Sequence, residues 1–463
     1  MSASLPRSRQ GHLDAASAAH PDDLRNGGTA YCESLAVITD DWVRSLFDAA
    51  VAEHAPAKGR FALLAVGGFG RSELAPWSDL DLLLVHDLKG KKTAPAVEAV
   101  ASALWYPLWD AGVKLGHAVR TVKEQLTIVT ADLDSATALL TGRFLAGDRE
   151  LADEVTTKGR AIWDKQSGTF LTALRARVRE RQDNAGDVAY RLEPDLKLGH
   201  GGLRDVQSLK WANQSGLSIL PEDLIELERC YDVLLGARVA LHCSTGRPGD
   251  VLRLEDQDST AEVGGWNDAD DLMADIAAAG RTIAWLVDEN WGRSVAPSDR
   301  LPDRDISSGI VLRNGEIELA DCADPVADPT LVLQAAVAAA RSDCRIGRST
   351  LDRLHDEVEP WKGIWPVGAT AQLVALLLEG HRSIRVLEAL DQRELFARLL
   401  PEWEPNRSKP QRNAYHRFTV DRHLWEAAAN ASQLVDRVAR PDLLVLGGLF
   451  HDLGYCIQIP FMH

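Results

Sequence analysis

The chain has 463 residues, of which 45% are apolar, and a formal net charge of −17. A chain of this length exceeds what one compact core usually holds, so we expect about three folding units. The acidic balance argues against a broad nucleic-acid surface, which draws on clustered Lys and Arg. The sequence contains no run of about 18 apolar residues of the kind that predicts a membrane span, so we expect no membrane partner.

The cysteine pattern bears on the cellular compartment. The six cysteines, at positions 32, 230, 243, 322, 344 and 456, show no Cys-x-x-Cys spacing. This argues for reduced thiols and against a structural zinc site. The first thirty residues also lack the apolar centre of a signal peptide. We therefore expect a cytoplasmic protein.

The first elements in chain order are a helix over residues 34–54 and a buried strand over residues 61–66. Gly67, Gly68 and Gly70 follow the strand, where glycine permits positive φ and close approach to a ligand. The free N–H groups of such a turn can bind phosphate. A Walker loop and a dinucleotide fingerprint are both excluded, because the lysine of the first and the third glycine of the second are missing.

Two carboxylates, Asp79 and Asp81, stand at the start of the next apolar run, residues 82–85. Side chains two apart on a strand point to the same face, so both carboxylates are expected side by side at the edge of a sheet. Such a pair repels itself, and a divalent cation explains the arrangement best. Oxygen ligands favour Mg²⁺ or Mn²⁺. The adjacent Ser78 can add a hydroxyl to the phosphate site.

A third strand is predicted over residues 113–121, paired with the strand that carries Asp79 and Asp81. This third strand contains no carboxylate. Asp132, just beyond a short helical stretch, is a candidate third acidic ligand. The alternative is that Asp132 caps a helix.

A second polar block covers residues 192–207 and reads Leu-Glu-Pro-Asp-Leu-Lys-Leu-Gly-His-Gly-Gly-Leu-Arg-Asp-Val-Gln. Chain punctuation alone predicts a loop that ends at two glycines, with a helix beginning near Leu203. The density of charge favours a further role, since Lys197 and Arg204 can neutralise phosphate.

Residues 149–291 read mostly as long amphipathic helices. His242, near the end of one of them, is interpreted as a helix-packed histidine rather than a ligand. Residues 297–325 are rich in Pro, Asp and Gly and predict a linker or a surface hairpin. Helix resumes over residues 331–341 and 369–400, and residues 401–410 mark the next boundary.

These segments resemble the PII uridylyltransferases, a family within the polymerase-β-like nucleotidyltransferases. The likeness rests on Gly-Gly-Phe-Gly-Arg-Ser-Glu-Leu and Ser-Asp-Leu-Asp-Leu within residues 67–82, on residues 109–121, and on the block at 192–207. Arg-x-x-Leu-His at 238–242 and Gly-Arg at 246–247 also match. Asp195 stands where the family pattern leads us to expect asparagine.

The resemblance implies an α+β nucleotidyltransferase domain, a small mixed sheet with helices, followed by mostly α-helical domains. We expect the following divisions: an N-terminal helical extension at 1–54, the nucleotidyltransferase domain at 55–148, a helical domain at 149–296, a linker and helical region at 297–410, and an incomplete HD domain at 411–463. His423, His451 and Asp452 match HD-domain metal ligands, which together suit a divalent or transition metal.

After Gly454 the sequence departs from the HD pattern. The later HD ligands and the paired ACT sensor domains of full-length members have no counterpart, so we read a truncated product. We expect its uridylyl-removing activity to be lost and its glutamine sensing to be absent.

The implied reaction is transfer of UMP or AMP, from UTP or ATP, to a tyrosine of the nitrogen-regulatory PII protein. Asp79 and Asp81 would be catalytic metal ligands. The nucleotide would contact Gly67, Gly68, Gly70, Arg71, Ser78, Lys197 and Arg204. Two alternatives stay open: a small-molecule nucleotidyltransferase, which has no reason to carry the block at 192–207, and a non-catalytic remnant that binds PII or nucleotide.

Overall fold

The computed structural model describes residues 11, 14, 24–90, 93–293, 303–363, 365–410 and 418–453. They form two compact units. The first comprises residues 1–187 and 193–283, and the second comprises residues 188–192 and 284–463. The division at 283 falls within one long helix.

The first unit begins with an α+β layer. Its elements are α1 (Gly28–His54), β1 (Phe61–Ala65), α2 (Gly67–Gly70), β2 (Leu80–His86), α3 (Ala94–Asp110), β3 (Leu115–Thr121), α4 (Val122–Ala131), α5 (Leu133–Leu140) and β4 (Arg143–Gly147).

The sheet has the strand order β3-β2-β1-β4. Strand β1 is antiparallel to both neighbours, whereas β2 and β3 are parallel, which makes the sheet mixed. Every residue of β1 is buried, as is the run 82–85 in β2. Interior strands covered on both faces carry continuous apolar runs, which explains this pattern. The predicted third strand and its pairing with β2 are confirmed, although the strand begins at Leu115.

Helices make up the rest of the first unit. They are α6 (Arg149–Lys165), α7 (Ser167–Ala185), α8 (Leu203–Gln214), α9 (Pro221–Thr245), α10 (Gln257–Gly264) and α11 (Ala269–Arg293), with a 3₁₀ turn at Leu254–Asp256. The part of α11 from residue 284 onward belongs to the second unit. The prediction of a helix beginning near Leu203 is confirmed. The fold class is therefore the expected one, an α+β domain followed by helical regions.

The second unit contains a small sheet and a helical cluster. Its elements after α11 are β5 (Arg304–Ser307), β6 (Ile310–Arg313), β7 (Glu316–Leu319), α12 (Leu331–Ser342), β8 (Arg345–Ile346), α13 (Arg348–Glu357), α14 (Ala369–Leu377), α15 (His381–Gln392), α16 (Leu395–Leu399), α17 (Val420–Ser432) and α18 (Pro441–Phe450), with 3₁₀ turns at Pro401–Asn406 and Val435–Arg437.

The predicted surface hairpin corresponds to the antiparallel strands β5, β6 and β7, while residues 294–302 lie outside the described part of the chain. The core of this unit includes a stack of aromatic rings. Trp403 and Trp425 stack with ring centroids 5.1 Å apart, and Phe396 meets Trp403 edge-on. Among the described residues, no helix is both long enough and apolar enough to cross a membrane.

Candidate active site

The carboxylate of Asp81 lies between two glycines. Gly67 has a φ of +59°, and a Cβ atom built there would lie 2.5 Å from Asp81 Oδ2. Gly116 is paired with Asp81 across the parallel strands β2 and β3, and its Cβ would lie 2.1 Å from Asp81 Oδ1. Heavy atoms cannot approach that closely, so a larger residue at either position would force the Asp81 carboxylate to move. Because both residues are glycine, the space beside them is free for this carboxylate.

Asp79 immediately precedes β2, and its side chain remains 40% exposed. Lys114 Nζ lies 2.9 Å from Asp79 Oδ2, and this hydrogen bond raises the pKa of Lys114. The N–H of Leu80 donates to the carbonyl of Lys114 at 2.9 Å, which continues the β2–β3 pairing to this end of the sheet. Asp79 and Asp81 therefore stand where two parallel strands begin.

Burial raises the pKa of Asp81 above its usual range, and the charge of Asp79 raises it further. The positive charge of Lys197 opposes the shift. The charge of Asp79 thus opposes ionisation of Asp81. Two partly buried carboxylates with oxygen donors suit Mg²⁺ or Mn²⁺. A cation held there would remove the repulsion.

A cavity of about 340 Å³ opens onto this pair. It is lined by charged side chains of both signs and by the glycine turn; the charged lining residues are Arg71, Glu73, Asp79, Asp81, Lys114, Lys197, Arg204, Arg238 and Asp250. A polar, cation-rich cavity beside two carboxylates can hold a metal-bound polyphosphate.

Lys197 and Arg238 meet at Asp250. Arg238 Nε lies 2.6 Å from Asp250 Oδ1, and Lys197 Nζ lies 3.5 Å from Asp250 Oδ2. Burial alone would raise the pKa of Asp250, but the charges of Arg238 and Lys197 outweigh it and lower the pKa. Burial lowers the pKa of Lys197, and Asp250 partly offsets that effect. Arg238 also donates to Ser78 Oγ at 3.4 Å, which ties Ser78 to this group.

His242, on α9, is fully buried. Its Nδ1 accepts a hydrogen bond from the N–H of Trp77 at 3.3 Å, so the ring proton belongs on Nε2, 2.9 Å from the carbonyl oxygen of Gly249. Burial, reinforced by the charge of Arg238, lowers the pKa of His242 to about 4. The interpretation of His242 as a satisfied, helix-packed residue is confirmed.

Arg204 is held by a second network. Its Nη1 donates to Gln207 Oε1 at 2.9 Å, and Gln207 Nε2 donates to Tyr231 at 2.8 Å and to Glu73 at 3.1 Å. Glu73 in turn pairs with Arg71 at 2.6 Å. These bonds connect the segment after the glycine turn to helices α8 and α9.

The loop before α8 is fixed by two aspartates. Buried Asp205 pairs with Arg181, accepts from Gln182 Nε2 at 3.0 Å and accepts from the N–H of Gly201 at 2.7 Å. Asp195 Oδ1 accepts the N–H groups of Lys197 and Leu198 at 3.0 and 2.8 Å. An asparagine oxygen can accept the same two bonds, which explains why aspartate is tolerated at this position.

The structure departs from the prediction for Gly70 and agrees with the helix-cap alternative for Asp132. Gly70 is buried and does not line the cavity. Backbone atoms of Thr141 and Ala65 pack against it instead, and a Cβ atom built at Gly70 would lie 2.4 and 2.9 Å from them. Of the three glycines in the turn, only Gly67 has a positive φ. Asp132 accepts the N–H of Ser135 at 2.8 Å and caps α5, so the helix-cap alternative holds.

Lys114, Arg238 and Asp250 line the cavity but were not predicted as site residues. Each is far in sequence from the Asp79–Asp81 pair and comes near it only through strand pairing or helix packing. A weak signal existed for Arg238, which begins the Arg-x-x-Leu-His match. Asp250 follows a Gly-Arg-Pro-Gly turn, which marks a bend and not a charge partner.

A separate group lies in the second unit. His423 Nε2 and His451 Nε2 are 3.2 Å apart, and Asp452 Oδ2 lies 3.4 Å from His451 Nε2 and 3.9 Å from His423 Nε2. Within the described part of the chain, these three residues are the one group of three or more His, Cys, Asp or Glu side chains close enough to share a metal ion. Residues 454–463 lie outside the described part of the chain.

Comparison with known proteins covers both segments that form the cavity, the glycine turn with the Asp79–Asp81 pair and the later helices. Residues 169–289 match the family GlnD PII-uridylyltransferase, and residues 28–125 match the nucleotidyltransferase family DUF294. A bifunctional uridylyltransferase/uridylyl-removing enzyme of Streptomyces coelicolor is 42% identical over 445 residues, which cover 91% of this chain and 52% of the relative. The chain belongs to the PII uridylyltransferase family.

Further members of the family show similar coverage. Enzymes with the same name from Mycobacterium tuberculosis and Corynebacterium glutamicum are 41% and 34% identical, over 85% of this chain and 50% and 56% of their own lengths. The chain therefore spans about half the length of the uridylyltransferases that it matches. The glycine turn and the Asp79–Asp81 pair lie within the DUF294 match, and Lys197, Arg204 and Arg238 lie within the PII-uridylyltransferase match.

Proposed function

We propose that the first unit transfers a nucleoside monophosphate from a nucleoside triphosphate to a tyrosine of the PII signal protein. The observation that supports this most strongly is the placement of Asp81 between Gly67 and Gly116, next to Asp79, in a cavity rich in cations. The family match supports the choice of PII as acceptor, and the word uridylyl in the names of the relatives favours UTP as donor.

In this proposal Asp79 and Asp81 would hold Mg²⁺ or Mn²⁺. When bound, such an ion offsets the negative charge that develops on the reacting phosphate. Lys197 and Arg204 face the same cavity and would bind the triphosphate oxygens. Arg238 holds Ser78 Oγ at 3.4 Å, where the hydroxyl would position a phosphate oxygen. Gly67 and Gly68 allow the backbone to approach the same phosphates.

The chemistry is a displacement at the α-phosphorus. The tyrosine oxygen forms a new bond to that phosphorus, the bond to the bridging oxygen of the β-phosphate breaks, and pyrophosphate leaves. The tyrosine proton passes to solvent. Catalysis then depends mainly on holding the phosphates and the acceptor in line and on neutralising charge.

The test is mass spectrometry of a PII protein after incubation with the chain, Mg²⁺ and either UTP or ATP. We expect one nucleotidyl group per modified tyrosine, with the preferred donor identified by its mass. A protein that only binds PII or nucleotide would leave PII unchanged with both donors. Modification of small acceptors in the absence of PII would favour the small-molecule alternative.

His423, His451 and Asp452 would form a second metal site, separate from this reaction. Two imidazoles and a carboxylate suit a transition metal or another divalent ion. We propose metal binding for this group and assign no reaction to it. The cytoplasmic location expected from the cysteine pattern is part of the same proposal.

A further inference from the structure

A second cavity, of about 460 Å³, adjoins the first and lies within the same unit. It is walled by α5 on one side and by α7 and α8 on the other. Gly67, Arg71 and Arg204 line both cavities, so the two meet at the glycine turn. A ligand bound at Asp79 and Asp81 could extend into this second space past Arg204.

The wall of the second cavity is mainly apolar, in contrast to the first. Its apolar lining residues are Leu133, Ala138, Leu174, Val178, Leu198 and Trp211. Two ion-paired arginines and two hydroxyls interrupt this surface; Arg177 lies 3.7 Å from Asp134, which also lines the cavity, and Arg181 is paired with Asp205. Thr137 donates to the carbonyl of Leu133 at 3.0 Å and Ser208 donates to that of Arg204 at 2.7 Å, so each presents its oxygen as an acceptor. An apolar cavity with a few placed polar groups is typical of a small-molecule site.

Arg204 stands at the junction of the two cavities and, in the described part of the chain, has no anionic partner. Its guanidinium lies 5.7 Å from the ring centroid of Trp211 and bonds to the neutral side chain of Gln207. No carboxylate among the described residues lies within ion-pair distance of it. Burial lowers the pKa of Arg204, and the nearby charges of Arg71 and Arg181 lower it further.

The neighbouring arginines differ from Arg204 in this respect. Arg71 is paired with Glu73, and Arg181 is paired with Asp205. A partly buried cation that lacks a counter-ion is unfavourable by itself and becomes favourable when a ligand supplies the anion. The arrangement therefore fits an anionic group at the junction and an uncharged, flat group beyond it.

We propose that the second cavity binds the nucleoside portion of the donor, with the base against the apolar walls of α5, α7 and α8 and the phosphates running past Arg204 toward Asp79 and Asp81. This inference rests on the proposed function. It deepens that proposal by identifying where the nucleobase is bound and which residues select it. The side chain of the acceptor tyrosine is the rival occupant of the same cavity.

The test compares ligands that share phosphates but differ in the nucleoside. Ala138 lines the second cavity only, so we expect Ala138→Trp to fill that cavity and to leave the lining of the first unchanged. We expect wild-type protein with Mg²⁺ to bind UTP or ATP at least about 10-fold more tightly than inorganic tripolyphosphate. In Ala138→Trp this advantage should be lost while the affinity for tripolyphosphate stays the same. The matched control is Ala131→Trp, an equal change at an exposed position on the neighbouring helix α4.

A second measurement uses the unmodified chain and does not depend on how the variant folds. Photo-crosslinking with an azido-substituted base in the triphosphate should label residues 133–138 or 174–178. Equal nucleotide affinity in wild type and Ala138→Trp, or labelling confined to other segments, would overturn the inference while leaving the transferase proposal intact. Loss of PII modification in Ala138→Trp with unchanged nucleotide affinity would assign the cavity to the acceptor. Failure of wild-type protein to bind either nucleotide would overturn both proposals.

Discussion

At the scale of single residues, the site depends on two glycines, which have no side chain. The carboxylate of Asp81 fits only because Gly67 and Gly116 leave its space free. The sequence could predict Gly67 from its place in a turn. It could not predict Gly116, whose role arises from the parallel register that pairs it with Asp81.

Gly116→Ala should displace the Asp81 carboxylate and lower transfer about 100-fold, since misplacement of a reacting group by about 1 Å can have that effect. The fold should be retained because Gly116 does not have a positive φ. The measurement is the steady-state rate of PII modification together with thermal unfolding. Gly112→Ala is the matched control, because Gly112 has a φ of +78° and, apart from its chain neighbours, no described residue lies within 4 Å of its Cβ position.

The control should lose about 1 kcal/mol of stability through backbone strain and keep its rate of transfer. A Gly116→Ala enzyme as active as wild type would show that the position of Asp81 is not critical.

His242 gives a prediction about pH. Its pKa is about 4 in the folded chain and about 6.5 when unfolded. The unfolded chain therefore takes up the proton first as the pH falls. The stability contributed by the neutral ring is complete above pH 6.5 and is lost toward pH 4, with about 2 kcal/mol gone by pH 5.

Urea unfolding at pH 7 and pH 5 measures this effect. His242→Asn should lose less stability between the two pH values than wild type does, by about 2 kcal/mol. His54→Asn, a change at a surface histidine, should behave as wild type. An equal pH dependence in wild type and His242→Asn would show that the ring is not held neutral.

At the scale of elements, the loop at 193–202 and helix α8 are positioned by Asp205. This carboxylate is fully buried and accepts from Arg181, Gln182 and the N–H of Gly201. The sequence block predicted a loop, two glycines and a helix start. It could not predict that the second aspartate of the block fixes the loop, because Arg181 lies on another helix.

Asp205→Ala should destabilise the first unit by about 3 kcal/mol, because it leaves the partly buried Arg181 without its partner. Asp195→Asn is the matched control and should change stability by less than about 0.5 kcal/mol, since the amide oxygen can accept the same bonds from Lys197 and Leu198. Denaturant unfolding of both variants provides the measurement. Similar losses in the two would argue against a special role for Asp205.

At the scale of the whole molecule, the two units each carry a candidate metal group. Asp79 and Asp81 lie in the first unit, and His423, His451 and Asp452 lie in the second. The groups also differ in chemistry, since the first offers only carboxylate oxygens and the second adds two imidazoles. Softer nitrogen ligands favour Zn²⁺ or Co²⁺ over Mg²⁺.

We therefore expect the two groups to be separable by mutation. His451→Ala should weaken Zn²⁺ or Co²⁺ binding at least about 10-fold and leave Mg²⁺-dependent nucleotide binding unchanged. Asp81→Asn should weaken Mg²⁺-dependent nucleotide binding and leave Zn²⁺ or Co²⁺ binding unchanged. His355→Ala, at a surface histidine of the same unit, is the control. Calorimetric titration with each metal gives the affinities. Loss of both metals in either variant would contradict two independent groups.

Local pattern predicted much of the first unit. The buried strands, the carboxylate pair and the start of α8 follow from apolar periodicity and glycine punctuation. Local pattern did not predict the charged residues Lys114, Arg238 and Asp250 as part of the site, because they reach the cavity only through tertiary packing. The same reason explains the error at Gly70, whose neighbours Ala65 and Thr141 are set by the fold and not by the turn.

The most direct measurement is the rate of pyrophosphate release during PII modification by wild type, Asp79→Asn and Asp81→Asn. Without the metal's charge, the transition state loses several kcal/mol of stabilisation. Each asparagine variant should therefore be at least about 100-fold slower, with unchanged thermal unfolding. Asp110→Asn, at an exposed carboxylate at the end of α3, should retain the wild-type rate. Wild-type rates in both asparagine variants would contradict the assignment of this pair as the catalytic metal ligands.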